Sequence, residues 1–305
     1  MPKISILIIT YNRAADLLDF LKSLSLQEGI DSVLEETLIL NNASTESYND
    51  VVSYLNAHPQ IKARYIDSDS NLGVARGRNK LMKIAKGDLL LTVDDDMIFP
   101  QPDALLKASL LFEQPLFKTH NTAIITMRVV YYSNKEVQEI AFPHKKYHKY
   151  KDRTQFLTYY FSGGANIMKS SVLSQTGLFP ENFFYGMEEY DLCYRILDCG
   201  YTIGYDGSIT LEHKESPSGR HANHQKLRMQ WINKSKVAWR YLPFIYFLST
   251  FVLWSFQYLR NAPTHLGLFF KSWLELVRIP VTEKRRPIKP ATRKYLSKVE
   301  ARLWF

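Results

Sequence analysis

The chain has 305 residues, 46% hydrophobic and 23% charged, a composition typical of globular proteins that excludes a low-complexity chain. Its length allows one large domain or two small ones. The net charge is +9, and the imbalance is local: residues 1–239 hold 27 basic and 27 acidic side chains, whereas residues 240–305 hold 12 and 3. The first residues lack the apolar core of a secretory signal, and the two cysteines are too far apart on one predicted helix for a disulfide. We therefore expect a reduced, cytosolic location.

The first third of the chain alternates short apolar runs with amphipathic stretches. Strands are predicted at 4–9, 37–40, 63–66 and 89–93, and helices at about 14–26, at about 48–55 and before residue 87. This order predicts an α/β protein whose mostly parallel, twisted sheet has helices on both faces. Ligands bind at the carboxyl ends of such strands, so the loops at 10–13, 41–46 and 94–96 should converge.

From about residue 119 the pattern is less regular and richer in aromatic residues. A strand is predicted at 123–131, a helix at 188–199 and a pair of strands over 202–213, after a loop-rich stretch through residue 153. The change predicts two halves, 1–118 and 119–240, followed by a separate C-terminal region at 241–305.

The C-terminal region combines apolar and basic segments. Residues 242–259 carry no charge, and eighteen residues is near the lower limit for a membrane-spanning helix. Residues 264–279 have the pattern of an amphipathic helix in a membrane interface, and a basic run follows. Together they predict association with an anionic membrane surface rather than with nucleic acid. Whether 242–259 spans the membrane or lies on it stays open, as does a helical subdomain with a solvated basic face.

Three aspartates, Asp94, Asp95 and Asp96, directly follow the apolar run LLLTV. Adjacent carboxylates repel one another, and nothing about the end of a strand requires them. Oxygen ligands are those that Mg²⁺ and Mn²⁺ prefer, and a bound cation offsets the repulsion. The cluster predicts a divalent-metal site, with an exposed acidic turn as the alternative.

Polar side chains in the other loops can complete a ligand site at the same edge. Thr10, Asn12 and Asn41 offer groups suited to a nucleobase or a ribose. The segment NLGVARGRN puts Gly73 where backbone can approach a ligand, with Arg76 and Arg78 available for phosphate. The alternative for this segment is a simple glycine-containing helix start.

A second acidic cluster lies in YGMEEYDLCYR. Asp191 and Arg195 are four residues apart on the predicted helix, so we expect a structural ion pair. Glu188 and Glu189 begin that helix, where a carboxylate can interact favourably with the helix dipole. The functional alternative is a general base at the mouth of the site.

His213 ends the last predicted strand. A lone histidine is more often structural, but beside three aspartates it is a candidate third metal ligand. His221 and His224 have no accompanying cysteine, so zinc is disfavoured.

In their order along the chain, these motifs resemble those of the family 2 inverting glycosyltransferases, which have the A-type glycosyltransferase fold. The matching segments are SILIITYNR, LILNNASTES, NLGVARGRN, LTVDDD, SGGAN, FYGMEEYDLCYR and LEHKES, which span residues 4 to about 215. The segment WINKSKVAWRYLP also looks like the acceptor-side segment that precedes the membrane-associated tail of bacterial members.

The resemblance implies a Rossmann-like half at 1–118 that binds a nucleotide-diphosphate-sugar, and an acceptor-side half at 119–240. It implies a divalent metal, Mn²⁺ or Mg²⁺, and transfer of the sugar to an acceptor hydroxyl with inversion. With the basic tail, it suggests a glycan or lipid-linked glycan acceptor for surface polysaccharide, at the inner face of the cell membrane.

The resemblance also assigns roles to individual residues. Asp94 and Asp96 match the metal-binding D-x-D pair, with Asp96 as the first choice, and His213 matches a third metal position. Glu189 matches the catalytic base, with Glu188 or Asp191 as substitutes. The matched donor-binding positions are Thr10, Asn12, Arg13, Asn41, Asn71, Gly73, Arg78, Asp94 and Asp95. The matched acceptor-binding positions are Gly164, Ala165, Asn166 and Glu188.

Two positions depart from the family pattern, which usually has Asp at Asn41 and more often Asp at Glu189. The first departure leaves open which nucleobase binds, and the second leaves open which carboxylate is the catalytic base. A sugar nucleotidyltransferase is disfavoured, because TYNR stands where such enzymes carry a Gly-rich loop. A non-catalytic nucleotide-sugar-binding or membrane-binding protein is the remaining alternative.

Overall fold

The structure is a computed structural model that describes residues 1–219 and 222–304. Its centre is one mixed sheet in which the described residues form nine strands. The strands are β1 (Ile4–Thr10), β2 (Leu34–Asn41), β3 (Ala63–Asp67), β4 (Leu89–Val93), β5 (Met97–Ile98), β6 (Thr122–Tyr131), β7 (Gln155–Thr158), β8 (Ala165–Lys169) and β9 (Thr202–His213). Their order across the sheet is β3-β2-β1-β4-β8-β6-β9-β5, and β7 also pairs with β9.

The expected α/β architecture is confirmed, and its sheet is mixed: β5 and β7 each pair antiparallel with β9. Strands β1 to β4 pair in parallel, and so do β6 and β9, whereas β8 runs antiparallel between β4 and β6. The carboxyl ends of β1, β2 and β4 therefore reach the same edge, where the three polar loops begin.

Helices cover both faces of this sheet. They are α1 (Ala14–Ser25), α2 (Ile30–Val33), α3 (Asn49–Ala57), α4 (Gly73–Met82), α5 (Ala104–Leu110), α6 (Pro115–Thr119), α7 (Tyr147–Tyr150), α8 (Leu173–Thr176), α9 (Glu188–Asp198), α10 (Asn223–Tyr241), α11 (Phe244–Asn261), α12 (Leu266–Thr282) and α13 (Pro290–Lys298). Alternate residues of β1 show the two layers: Ile6 and Ile8 belong to the apolar core that contains α1, whereas Leu7 belongs to the core that contains α4 and α9.

The predicted pair of strands over 202–213 is wrong, because β9 is one continuous strand. The sequence Asp206-Gly207-Ser208 is typical of a turn, but here it forms a bulge. Met127 of β6 pairs with Asp206 while the next residue of β6 pairs with Thr210, so the intervening residues loop out without ending the strand. The Asp206 carboxylate accepts the Ser208 backbone N–H at 2.8 Å and stabilises the bulge.

Helices α11 and α12 confirm the two helices expected after residue 241, and they pack with α10 around a core of their own. Trp231, Trp254, Tyr258, Phe269 and Leu276 form its centre. Within residues 1–219 and 222–304, no helix has both the length and the apolar character that crossing a membrane requires.

Candidate active site

A cavity of about 350 Å³ opens at the sheet edge where the three polar loops meet. We call it the aspartate cavity. Its lining residues that matter for chemistry are Arg13, Asn71, Gly73, Arg78, Asp94, Asp95, Asp96 and His213. They come from the loop after β1, the start of α4, the loop after β4 and the end of β9, so segments distant in sequence meet here, as the convergence of strand ends predicts.

Arg13 neutralises two of the three aspartates. Its Nη1 lies 2.9 Å from Oδ1 of Asp95 and 3.3 Å from Oδ2 of Asp96. Burial raises the pKa of Asp95 to about 7 in spite of Arg13. Burial also acts to raise the pKa of Asp96, but hydrogen bonding to His213, the charge of Arg13 and the Ser216 N–H together hold it below its ordinary value. Asp96 is therefore the more firmly ionised of the two buried carboxyls.

His213 is fixed between two partners. Its Nε2 lies 3.3 Å from Oδ1 of Asp96, and its Nδ1 lies 2.9 Å from Oε1 of Gln138. Burial alone lowers the pKa of His213, but the Asp96 carboxylate outweighs burial and raises it. Sequence reasoning missed Gln138, which is buried and lines the cavity, because the loop that carries it has no periodic pattern.

Arg78 connects the aspartates to the second acidic cluster. Its Nη2 lies 3.4 Å from Oδ1 of Asp94, and its Nη1 donates to Oε1 of Glu189 at 3.0 Å and lies 3.7 Å from Glu188. Burial raises the pKa of Glu188 well above its ordinary range, and the charge of Glu189 adds to the effect. One buried guanidinium thus joins the predicted metal ligand to the predicted base.

The segment SGGAN shapes the wall beside these groups. A Cβ added to Gly163 would overlap Oε1 of Glu189, and one added to Gly164 would overlap the Asp94 carboxylate. Ala165 and Asn166 are buried in β8, and the Asn166 amide donates to the carbonyls of Ser162 and Gly163 at 2.9 and 3.0 Å. The structure therefore places these predicted acceptor residues in the wall behind Asp94 and Glu189.

Three predicted donor-binding residues do not line the cavity. Thr10 is buried and shares a 2.7 Å hydrogen bond with the Tyr48 hydroxyl. Asn12 accepts the Thr45 N–H at 2.8 Å, and the Asn41 amide donates to Asp67 at 2.9 Å. These side chains hold the loops after β1 and β2 in place.

Asn42 lines the cavity instead of its neighbour Asn41, and sequence reasoning missed it. Its amide donates to Asn71 Oδ1 at 3.0 Å, and its own oxygen accepts the Leu72 N–H at 2.9 Å. The other arginine of NLGVARGRN, Arg76, is exposed on α4, and its Nε donates to the Leu72 carbonyl.

Asp191, one substitute for the base, is fully engaged elsewhere. Its two oxygens lie 2.8 Å from Arg195 Nη2 and 2.6 Å from Arg240 Nη1, and the Tyr241 hydroxyl donates to it at 3.0 Å. The expected Asp191–Arg195 pair is thus present, and Asp191 connects α9 to α10.

The residues of the aspartate cavity fit an oxygen-preferring divalent cation in chemical type. Asp94, whose side chain is 43% exposed, lines the same cavity as Asp96 and His213. Within the described residues, no group of three His, Cys, Asp or Glu side chains has the arrangement of a preformed metal centre.

Of the other two histidines considered for zinc, His221 and His224, the structure describes only His224. His221 lies outside the described residues. The ring of His224 stacks on that of His265, with centroids 3.8 Å apart.

Comparison with known proteins connects this site to a family. The model of glycosyl transferase family 2 matches residues 5–177. An uncharacterized protein of Haemophilus influenzae is 28% identical over 178 residues, which are 58% of this chain and 92% of that protein.

Solved structures share the fold. TarS 1-349 of S. aureus in complex with UDP-GlcNAc has a TM-score of 0.61 at 14% identity, over 91% of this chain and 81% of that one. The mannosyltransferase PcManGT of Pyrobaculum calidifontis, in complex with GDP-Man and Mn²⁺, has a TM-score of 0.60 at 16% identity, over 98% and 80%. At such identities the likeness shows the fold alone, and the expected A-type glycosyltransferase fold is confirmed.

Proposed function

The chain belongs to glycosyl transferase family 2, and from this premise we propose that it moves a sugar from a nucleotide-diphosphate-sugar to an acceptor hydroxyl with inversion. The observation that carries the proposal is the contact of buried Arg78 with both Asp94 and Glu189. The Arg78 guanidinium thereby connects Asp94, a carboxylate suited to binding a metal–diphosphate, with Glu189, a carboxylate suited to accepting the proton of the acceptor hydroxyl.

Donor binding needs positive charge opposite the diphosphate. Arg78 lies in the cavity wall, and a divalent cation, Mn²⁺ or Mg²⁺, would be held by Asp94, Asp96 and His213. When bound, the cation neutralises charge on the leaving diphosphate. Arg13 balances Asp95 and Asp96, and its Nε donates to the Ser218 carbonyl at 2.7 Å, so it also fixes the segment after β9 over the site.

Glu189 is the residue we assign as the base. Its side chain is 18% exposed and oriented by Arg78, so it can accept a proton from a hydroxyl that attacks the anomeric carbon. Glu188 is buried with a raised pKa, which favours its protonated form, and Asp191 is held by two arginines. Of the three carboxyls, Glu189 alone is both partly exposed and in contact with a single arginine, Arg78.

A donor screen tests the proposal. Purified protein is incubated with Mn²⁺ or Mg²⁺ and a panel of UDP-, dTDP- and GDP-sugars, and nucleotide diphosphate release is followed with and without a chelator. We expect release from one donor that the chelator abolishes, and NMR of the product to show inverted anomeric configuration. No release with a lipid extract as acceptor, and no donor binding by calorimetry, would instead support a non-catalytic binding protein.

We further propose that the C-terminal region, 241–305, places the catalytic domain, 1–240, on the inner face of the cell membrane, where the acceptor is a lipid-linked or growing glycan for surface polysaccharide. Helices α11 and α12 support this because each exposes apolar side chains three to four residues apart. They are Ile245, Leu248, Val252 and Phe256 on α11 and Phe270, Leu274, Val277 and Val281 on α12. The excess of basic residues in this region favours anionic lipid.

Sedimentation with vesicles tests the membrane proposal. We expect binding to phosphatidylcholine vesicles that contain phosphatidylglycerol, weaker binding to phosphatidylcholine alone, and loss of binding in Phe256→Glu/Phe270→Glu. The control is Leu26→Glu, which changes an apolar residue that is 74% exposed at the end of α1. Equal binding of the double variant and the control would contradict the proposal.

A further inference from the structure

Two side chains contact His213 in series from the side that Asp96 does not occupy. Oε1 of Gln138 lies 2.9 Å from Nδ1 of His213, and Nε2 of Gln138 donates to Oε1 of Glu215 at 2.7 Å. Gln138, Glu215 and His213 all line the aspartate cavity. The other ring nitrogen of His213, Nε2, is the one that lies 3.3 Å from Asp96.

Glu215 determines the orientation of the Gln138 amide. An ionised carboxylate accepts hydrogen bonds and donates none, so the amide nitrogen of Gln138 faces Glu215 and the amide oxygen faces His213. An amide oxygen only accepts, so the hydrogen in this second contact belongs to Nδ1 of His213. Nε2 is then the ring nitrogen that can lose its proton and present a lone pair.

The backbone around Gln138 fixes the position of its amide. The Gln138 N–H donates to the Val129 carbonyl at 3.0 Å, and the Gln138 carbonyl accepts the N–H groups of Ala141 and Phe142 at 3.0 and 3.1 Å. The residue is only 2% exposed. A buried side chain on a hydrogen-bonded backbone has little freedom to rotate, so the contact with His213 is set before any ligand binds.

Glu215 has a backbone conformation that is costly for its residue type. Its φ is +55°, in the left-handed region that glycine and asparagine adopt more readily. The residue is exposed, so burial of its side chain does not offset this strain. Backbone strain persists where the surrounding structure or a function requires it. Here the strained conformation accompanies the contact of the Glu215 carboxylate with Gln138.

We propose that Gln138 and Glu215 are positioning residues that keep the proton of His213 on Nδ1, so that Nε2 is the nitrogen that binds a divalent cation. This inference rests on the proposed function, because it concerns how His213 serves the cation of that site. A histidine binds a metal through the nitrogen that carries no proton. A partner on the other nitrogen orients the ring and makes it a stronger ligand.

Electron paramagnetic resonance of Mn²⁺, with the full chain and no nucleotide, measures the affinity for the cation. We expect Gln138→Leu to weaken binding at least tenfold, the usual effect of removing the partner of a metal-binding histidine. Glu215→Leu, at an exposed position, should weaken it too, because the Gln138 amide can then turn. The matched control is Gln155→Leu, which should keep the affinity. The Gln155 amide also donates to a carboxylate at 2.7 Å, that of Asp206, but it lies on β7.

The double variant Gln138→Glu/Glu215→Gln distinguishes proton placement from packing. It exchanges the two groups, so an acceptor still faces Nδ1 of His213 and an amide still donates to that acceptor. We expect it to bind Mn²⁺ as the wild type does. With Mg²⁺ bound, ¹⁵N NMR of labelled histidine should show Nδ1 protonated in both proteins, the His213 signals being assigned by their loss in His213→Gln. Thermal unfolding verifies that each variant is folded.

Three results would overturn the inference. Equal Mn²⁺ affinity in the wild type, Gln138→Leu and Glu215→Leu would show that neither residue supports the cation. A proton on Nε2 in the Mg²⁺-bound protein would place the ligand on the wrong nitrogen. A loss of affinity in the double variant as large as that in Gln138→Leu would show that packing matters and not the acceptor. If the wild type bound no Mn²⁺, the proposed metal site itself would fail, whereas these three results refute only this inference.

Discussion

Replacing Arg78 with Met should destabilise the protein by about 3 kcal/mol, because removing one partner of a buried ion pair strands the other charge. The ion pair with Glu189 accounts for most of this loss. Nη1 of Arg78 lies 3.0 Å from Oε1 of Glu189, and the side chains of Arg78 and Glu189 are 7% and 18% exposed. The contact with Asp94 adds less than about 1 kcal/mol, because Asp94 is partly in solvent. Glu188 adds little, because its raised pKa favours the neutral form. The expected cost is therefore at the lower end of about 3–5 kcal/mol for such pairs.

Urea unfolding followed by circular dichroism measures this cost, and a lower midpoint at unchanged slope reports stability. In the double variant Arg78→Met/Glu189→Gln, the carboxylate that Arg78 mainly neutralises is removed as well, so at least half of the lost stability should return. Arg76→Met, the same substitution on the exposed face of α4, should change stability by no more than about 0.5 kcal/mol. An additive double variant, or equal losses at both arginines, would refute the reasoning.

Two further variants test the cavity wall and its electrostatics. Gly164→Ala should lower the transfer rate at least tenfold, because the added Cβ displaces the Asp94 carboxylate. The control Gly267→Ala, whose added Cβ has no neighbour within 4 Å, should keep the wild-type rate. Equal rates in the two variants would contradict this, because they would show that Asp94 can move freely. Glu188→Gln should become more stable than the wild type as pH rises above about 4.5. The folded wild type binds the proton of Glu188 more tightly than the unfolded chain does, so deprotonation costs stability. The free energy of unfolding of the wild type should therefore fall by up to about 1.4 kcal/mol per pH unit until the raised pKa of Glu188 is passed. Urea midpoints at pH 5 and 8 measure this, and a pH-independent difference would contradict it.

The sequence predicted the sheet and the convergence of its loops because both follow from local periodicity. Apolar runs mark β1 and β4, and a polar residue after each run marks the edge where ligands bind. Arg13 and Asp96 lie in two of the loops that this periodicity predicts to converge, whereas the family resemblance is what assigned His213 and Arg13 their roles at the site.

Two parts of the site could not be predicted, for different reasons. The choice between Asn41 and Asn42 depends on where β2 ends, and adjacent residues of a strand face opposite sides, so an error of one residue exchanges them. Gln138 reaches His213 through tertiary packing of an irregular loop, which leaves no local signal. Likewise, only the structure shows that Arg13 contacts Asp95 and Asp96 and that Arg78 contacts Asp94 and Glu189.

The most direct test of the account is the rate of sugar transfer by Glu189→Gln at saturating donor, compared with the exposed control Glu28→Gln. A Gln side chain keeps the shape beside Arg78 but cannot accept the acceptor proton. We predict that transfer falls by roughly 10²–10⁴-fold in Glu189→Gln, the usual contribution of a general base, while donor affinity by calorimetry is kept. Transfer at the wild-type rate in Glu189→Gln would contradict the assignment of this carboxylate as the base and, with it, the proposed arrangement of donor and acceptor around Arg78.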